Sequence, residues 1–342
     1  MARFYLPLLS LLLLGPTAVG AADDVLTPLV TLPVDPPPAA QPPAEAAKPS
    51  VEEVLVEAPE PRYVAPTLRD RIGRIWAPVL INGKGPFRLV LDTGANNSAV
   101  LPRVADSLGI PLLGSKQIRV HGVTGTAIVS SIKVDMLEVG DLQIDGTRLP
   151  VVADVFGGAD GVLGSEGLAD MRIFIDFRHD HIEIRRSRGE RPGVGYERIP
   201  LTLSRGRLLT IDVQIGSVRT KAIIDTGAQQ TIGNAALREA LVRREREWKQ
   251  QDIIGVTLDV ATGDSIQTPP ITFGSVAVRG MRVTFTDMFI FEHWNLTREP
   301  TLLLGMDVLG LVDALVIDYR LHEMHVRLRN RAMPAAFTQS GT

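Results

Sequence analysis

Two carboxylates stand out by type and spacing. Asp92-Thr93-Gly94-Ala95 and Asp225-Thr226-Gly227-Ala228 are the same four residues, 133 positions apart. Each follows a hydrophobic run, Arg88-Leu89-Val90-Leu91 in one case and Lys221-Ala222-Ile223-Ile224 in the other. One such tetrapeptide is most simply a turn after a strand, because Asp and Gly are turn residues. A matched pair carries more. Two carboxyls brought close cannot both ionise, so they hold one proton between them, and such a pair supplies both an acid and a base. Asp92 and Asp225 are the candidates for that work.

The elements that must position them come in two copies. At the 133-residue offset, positions 73–108 lie on 206–241 without a gap, with identities at Gly83/Gly216 and Leu108/Leu241 besides the two motifs. Val162-Leu163-Gly164 then matches Leu303-Leu304-Gly305, and Ile175-Asp176-Phe177-Arg178 matches Ile317-Asp318-Tyr319-Arg320. Val123-Thr124-Gly125-Thr126 is matched with Ala261-Thr262-Gly263-Asp264. Landmarks in one order imply two copies of one fold, about 67–190 and 200–330, joined at 191–199. Short strands dominate the pattern. Val79-Leu80-Ile81, Asn82-Gly83 and Phe87–Leu91 read as a hairpin with a tight turn. Short helices are expected at 102–108 and, longer, at about 234–251 with Leu237, Leu241 and Trp248 on one stripe.

Composition excludes much else. The 342 residues include no Cys, which removes disulfides, zinc–thiolate sites and thiol catalysis. The net charge of −3 offers no attraction for nucleic acid or an anionic membrane. Residues 1–21 read as a signal peptide, with Arg3, an apolar run from Phe4 to Leu14 and small residues near Ala21. A span needs about 20 apolar residues, so an uncleaved signal acting as a membrane anchor is the weaker alternative. Positions 22–66 form a Pro/Ala-rich spacer holding 11 prolines between Pro28 and Pro66, with a removable propeptide as the alternative, and 331–342 is a tail. An exported chain without Cys fits a bacterial periplasm. His179, His181, His322 and His325 read as exposed turn residues rather than metal ligands, so neither metal nor cofactor is expected.

The paired motif, the Thr-Gly turns and the apolar-apolar-Gly strands resemble the retropepsin-like aspartic peptidases. The resemblance covers about 70–186 and 205–328. It implies an all-β, pseudo-twofold bilobal structure of two tandem acid-protease lobes with β-barrel character and short helices. Viral members pair two identical chains; here both lobes are fused, which implies a monomer. The resemblance implies a peptide or protein substrate, with one Asp taking a proton from the attacking water and the other donating toward the carbonyl oxygen. It makes Thr93, Gly94, Ala95, Thr226, Gly227 and Ala228 supports of the site, Thr93 and Thr226 bonding across the lobes. It makes Thr124-Gly125 and Thr262-Gly263 the flap tips. An insertion before Gly305 with Phe289, Phe291 and Trp294 is expected to line the substrate groove. Viral enzymes usually carry Arg after apolar-apolar-Gly; Ser165 and Met306 stand there here. The rival expectation is a peptide-binding protein that keeps the fold without turnover.

Overall fold

A computed structural model describes residues 74–204, 208–241 and 249–329, all within one compact unit. The signal peptide, the spacer, Trp248 and the tail lie outside the described residues.

Each lobe is built on six strands in the same spatial order. In the first lobe the order is Ala99–Val100, Gly161–Leu163, Lys84–Leu91, Trp76–Ile81, Met136–Val139, Leu142–Asp145. The second lobe runs Ile232–Gly233, Thr301–Leu304, Val218–Ile224, Leu208–Ile215, Ile271–Phe273, Val276–Val278. The first hairpin turns at Asn82 and Gly83, both with positive φ, the conformation that favours Asn-Gly in a two-residue turn. The strand ending at Leu91 pairs in parallel with Gly161–Leu163, and the strand ending at Ile224 pairs in parallel with Thr301–Leu304. Parallel strands covered on both faces read as continuous apolar runs. Leu89, Val90, Leu91, Val162 and Leu163 are accordingly buried, as are Ile223, Ile224, Leu303 and Leu304.

A five-stranded sheet joins the lobes. Met171–Asp176 pairs antiparallel with Ala314–Asp318, and these are the two repeated Ile-Asp-aromatic-Arg segments. Glu197–Pro200, placed by sequence at the joint, is itself a strand of this sheet, paired with Glu323–Arg327. His325 is buried in that strand against the Glu323 carboxylate at 3.1 Å, a correction to its reading as an exposed turn residue.

The helix expected over 102–108 is present as Pro102–Leu108, with Pro at its first position and Gly109 closing it at φ 75°. The second helix is Ala235–Leu241, and it does not reach 251. Lys249–Ile254 is a strand, because Gln250 and Asp252 pair with Asp264 and Thr262 across a hairpin. The 234–251 stripe took in a seven-residue helix and the start of an alternating strand. Among the described residues, no helix is long and apolar enough to cross a membrane.

Candidate active site

Asp92 and Asp225 stand one residue past the ends of the two central strands. The Asp92 N–H donates to Leu163 O at 2.9 Å and the Asp225 N–H to Leu304 O at 3.1 Å, so each apolar-apolar-Gly strand holds the Asp beside it. The N–H groups of Gly94 and Ala95 then donate to Asp92 Oδ1 at 2.9 and 3.0 Å. Gly227 and Ala228 do the same for Asp225 Oδ1, both at 2.9 Å. Each carboxylate is thereby oriented by its own loop.

The glycines face the opposite lobe. A Cβ on Gly94 would lie 2.7 Å from Asp225 Oδ2, and one on Gly227 would overlap the Asp92 carboxyl. Only the absence of a side chain lets each loop approach the other lobe's carboxylate. The two carboxyls face one another across the lobes, close enough that each shifts the other's titration. Burial raises Asp92 above the usual carboxylate range, against the pull of the Gly94 N–H and, more weakly, the Arg74 guanidinium. Burial raises Asp225 well above that range, and the charge of Asp92 pushes it further. These are the conditions under which a pair of carboxyls holds one proton between them.

Thr93 and Thr226 lock the loops together. The Thr93 hydroxyl donates to Ile224 O and the Thr226 hydroxyl to Leu91 O, both at 2.7 Å. The bonds implied by the resemblance are therefore in place.

The two overhanging hairpins are 117–133 and 249–267. Thr124 and Gly125 stand at the first tip. Thr262 and Gly263 do not stand at the second; they are strand residues, paired with Asp252 and Gln251. The tip is Gly255-Val256-Thr257, which keeps the 133 offset from Gly122-Val123-Thr124. Gly263 is glycine for another reason. A Cβ there would sit 2.8 Å from Phe285 O on the neighbouring strand. Thr124 Oγ1 and Thr257 Oγ1 are 3.4 Å apart. The tip valines cross over: Val123 packs on the second lobe's cluster of Ile232, Met288, Phe291 and Leu303, and Val256 on the first lobe's cluster with Val152, Phe156 and Val162.

The insertion before Gly305 does not present all its aromatics to a groove. Met288-Phe289-Ile290-Phe291 begins a helical turn whose Phe291 is fully buried at the centre of that second-lobe cluster. Trp294 packs half-buried against the same cluster. Phe289 is half-buried too, and its ring stacks on His121 of the first hairpin at 5.8 Å, with His293 alongside. Two features escaped the sequence reading. Arg74, identical to Arg207 at the same offset of 133, was given no role, yet its charge reaches Asp92. The Arg usual in viral enzymes is absent, and the carboxylates one residue further on, Glu166 and Asp307, are hydrogen-bonded to Ser98 and Thr231 instead.

With this geometry in hand, comparison with known families places the chain. Residues 77–166 and 211–308 both match the family model described as aspartyl protease. The two matched segments cover more than half of the chain, one in each lobe, and the chain belongs to this retropepsin-like family. No curated protein matches it.

Proposed function

We propose that the chain is an aspartic endopeptidase that hydrolyses peptide bonds with Asp92 and Asp225. One observation carries the reading: two carboxyls from different lobes meet, each oriented by two backbone N–H groups and crowded by the other lobe's glycine. One carboxylate accepts a proton from water as the oxygen attacks the carbonyl carbon, while the protonated partner donates to the carbonyl oxygen. The C–N bond then breaks as the amine takes a proton, and the pair returns to its singly protonated state. Hairpins 117–133 and 249–267 serve as flaps, and an extended peptide bonds to them in strand fashion.

The test is cleavage of a denatured-protein or peptide library, with and without a statine-type inhibitor. Asp92→Asn and Asp225→Asn are each expected to abolish turnover while the fold persists, since the pair acts as a unit. Retention of more than about a tenth of the activity by either variant places the chemistry elsewhere. Binding without turnover by the wild type supports the peptide-binding alternative. Export to the periplasm belongs to the same proposal, and N-terminal sequencing of the mature protein checks cleavage near Ala21.

A further inference from the structure

One peptide unit in each lobe is gripped from two sides. In the second lobe it is Leu304–Gly305. Its carbonyl accepts the Asp225 N–H at 3.1 Å, and its N–H donates to Thr231 Oγ1 at 3.1 Å. The Thr231 hydroxyl donates in turn to Asp307 Oδ1 at 2.6 Å, and the Thr231 N–H to Asp307 Oδ2 at 2.9 Å. Asp307 is two residues beyond Gly305, and Thr231 is six beyond Asp225, so the bonds close a ring through the loop that carries the carboxylate. The straps continue outward: Met306 N–H donates to Ala228 O, and Asp307 N–H to Gln229 O.

The first lobe repeats the device with other residues. The Leu163 carbonyl accepts the Asp92 N–H, the Gly164 N–H donates to Ser98 Oγ at 3.0 Å, and the Ser98 N–H donates to Glu166 Oε1 at 2.6 Å. The Ser165 N–H donates to Ala95 O at 2.8 Å. Ser98 and Thr231 are both fully buried. A buried hydroxyl and a carboxylate thus stand in the same place twice, each beside the strand that holds an Asp of the pair.

We propose that Thr231 with Asp307, and Ser98 with Glu166, are positioning residues that hold the Asp225 and Asp92 loops at the separation the shared proton requires. The inference rests on the peptidase reading above. The hydroxyl is the element that matters. It fixes the Gly N–H, which fixes the peptide plane, which fixes the carbonyl that accepts from the catalytic Asp backbone. In the second lobe the carboxylate also sets the hydroxyl's direction, because Asp307 takes both protons that Thr231 offers and leaves its lone pairs for Gly305; in the first lobe Glu166 holds the Ser98 N–H. Loosening that plane slackens the N–H groups of Gly227 and Ala228 on Asp225 Oδ1. Those groups favour the ionised carboxylate, so their loss moves the pair's titration upward.

The experiment compares Thr231→Val, which keeps shape and removes the hydroxyl, with Thr231→Ser, which restores it. Thr231→Val is expected to lower kcat about tenfold, the equivalent of roughly one lost hydrogen bond, with KM changed less than about twofold. Thr231→Ser is expected to stay within about twofold of wild type in both. Carboxyl 13C NMR titration of Asp92 and Asp225 is expected to move upward in the valine variant only. Ser98→Ala is the parallel test from the first lobe and serves if Thr231→Val does not fold. The proposal falls if the folded hydroxyl-deleted variants keep kcat and titration. It also falls if kcat drops only in proportion to the unfolded fraction, with the titration unmoved. A wild type that cleaves no peptide overturns the peptidase reading, while the carboxyl titration still decides whether the clamp sets the pair.

Discussion

The Thr93 N–H donates to Thr226 Oγ1 and the Thr226 N–H donates to Thr93 Oγ1, each at 3.2 Å, so two residues from different lobes exchange bonds directly beneath the carboxylate pair. Each hydroxyl also donates to a carbonyl of the other lobe, and both threonines are buried. Removing one hydroxyl therefore strands the opposite N–H as well as a carbonyl. An unsatisfied buried backbone group costs about 1–3 kcal/mol. Thr93→Val and Thr226→Val are each expected to destabilise by at least that much in urea unfolding, and Thr→Ser by less. Because the two residues share partners, the double variant is expected to lose less than the sum of the singles. Strict additivity would mean that the bonds are independent.

The glycines of the two motifs give a second prediction. Gly94→Ala places a methyl group against Asp225, and Gly227→Ala places one against Asp92. Neither carboxyl can retreat without breaking its loop's N–H bonds or separating the lobes. Each variant is expected to lose at least about a hundredfold in kcat/KM, because displacing a reacting group by about 1 Å is enough for that. Gly83→Ala is the control. Its added Cβ meets nothing within 4 Å, so its strain at φ 70° is local to a distant turn. It should lower Tm and leave the kinetics of the folded protein alone.

Much of this arrangement was legible in the sequence because the repeat was exact where chemistry demanded it. The offset of 133 joins Asp92 to Asp225 and Thr93 to Thr226, and the cross-lobe bonds preserve it to the residue. The second hairpin tip was misplaced because Thr262-Gly263 offered a Gly in a plausible turn. The cause of that Gly is crowding by Phe285 O, a tertiary contact no local pattern reports. Gly255-Val256-Thr257 kept the offset but lies among the apolar residues Ile253, Ile254 and Leu258, which look like strand interior. The role of Ser98 and Thr231 was invisible for a similar reason. A small hydroxyl residue six positions past an Asp is ordinary until the strand bearing Gly164 or Gly305 is laid beside it.

The third prediction concerns pH and stability. Asp225 in the folded protein sits well above the ordinary carboxylate value, chiefly through burial and then through the charge of Asp92. Below about pH 4 both the folded and unfolded forms keep the proton, and Asp225 contributes nothing to pH dependence. As pH rises through that unfolded value the unfolded chain releases its proton while the folded protein holds it. Stability therefore falls until the raised folded value is passed, then levels off. Asn cannot ionise, so Asp225→Asn is expected to raise Tm at pH 7 and to match wild type near pH 3. Thermal melts across that range check it. An Asn variant that is less stable at pH 7 would show that the pair is not held against its ionisation. The activity maximum is expected at about pH 4.5–6.5. Ala95 and Ala228 offer no hydroxyl to the ionised carboxylates, and Ala→Ser at either position should move the acidic limb down.

The last prediction separates the hairpin tip from its neighbour in sequence. A Cβ on Gly255 would overlap Thr124 Oγ1 and lie 3.0 Å from Val123 Cγ2, so Gly255→Ala pushes the two tips apart. Gly255 is not strained in φ, and its crowding comes wholly from the other hairpin. The first hairpin is pinned where it is: Val123 O accepts the Ile290 N–H at 3.2 Å, and His121 stacks on His293 with ring centroids 4.5 Å apart. Among the described residues the second hairpin has no such stack, since Ile254 occupies the position equivalent to His121 and is exposed. It is therefore the one that should yield. Gly255→Ala is expected to weaken peptide binding severalfold in KM with Tm nearly unchanged. Gly263→Ala drives a methyl group into Phe285 O and Thr284 Cγ2 within a sheet, where overpacking costs about 1–3 kcal/mol. It should lower Tm by several degrees and leave the KM of the folded protein near wild type. If instead Gly263→Ala raised KM and Gly255→Ala only lowered Tm, the closing tip of the second lobe would be the Thr262-Gly263 pair, and the offset of 133 would fail at the hairpins.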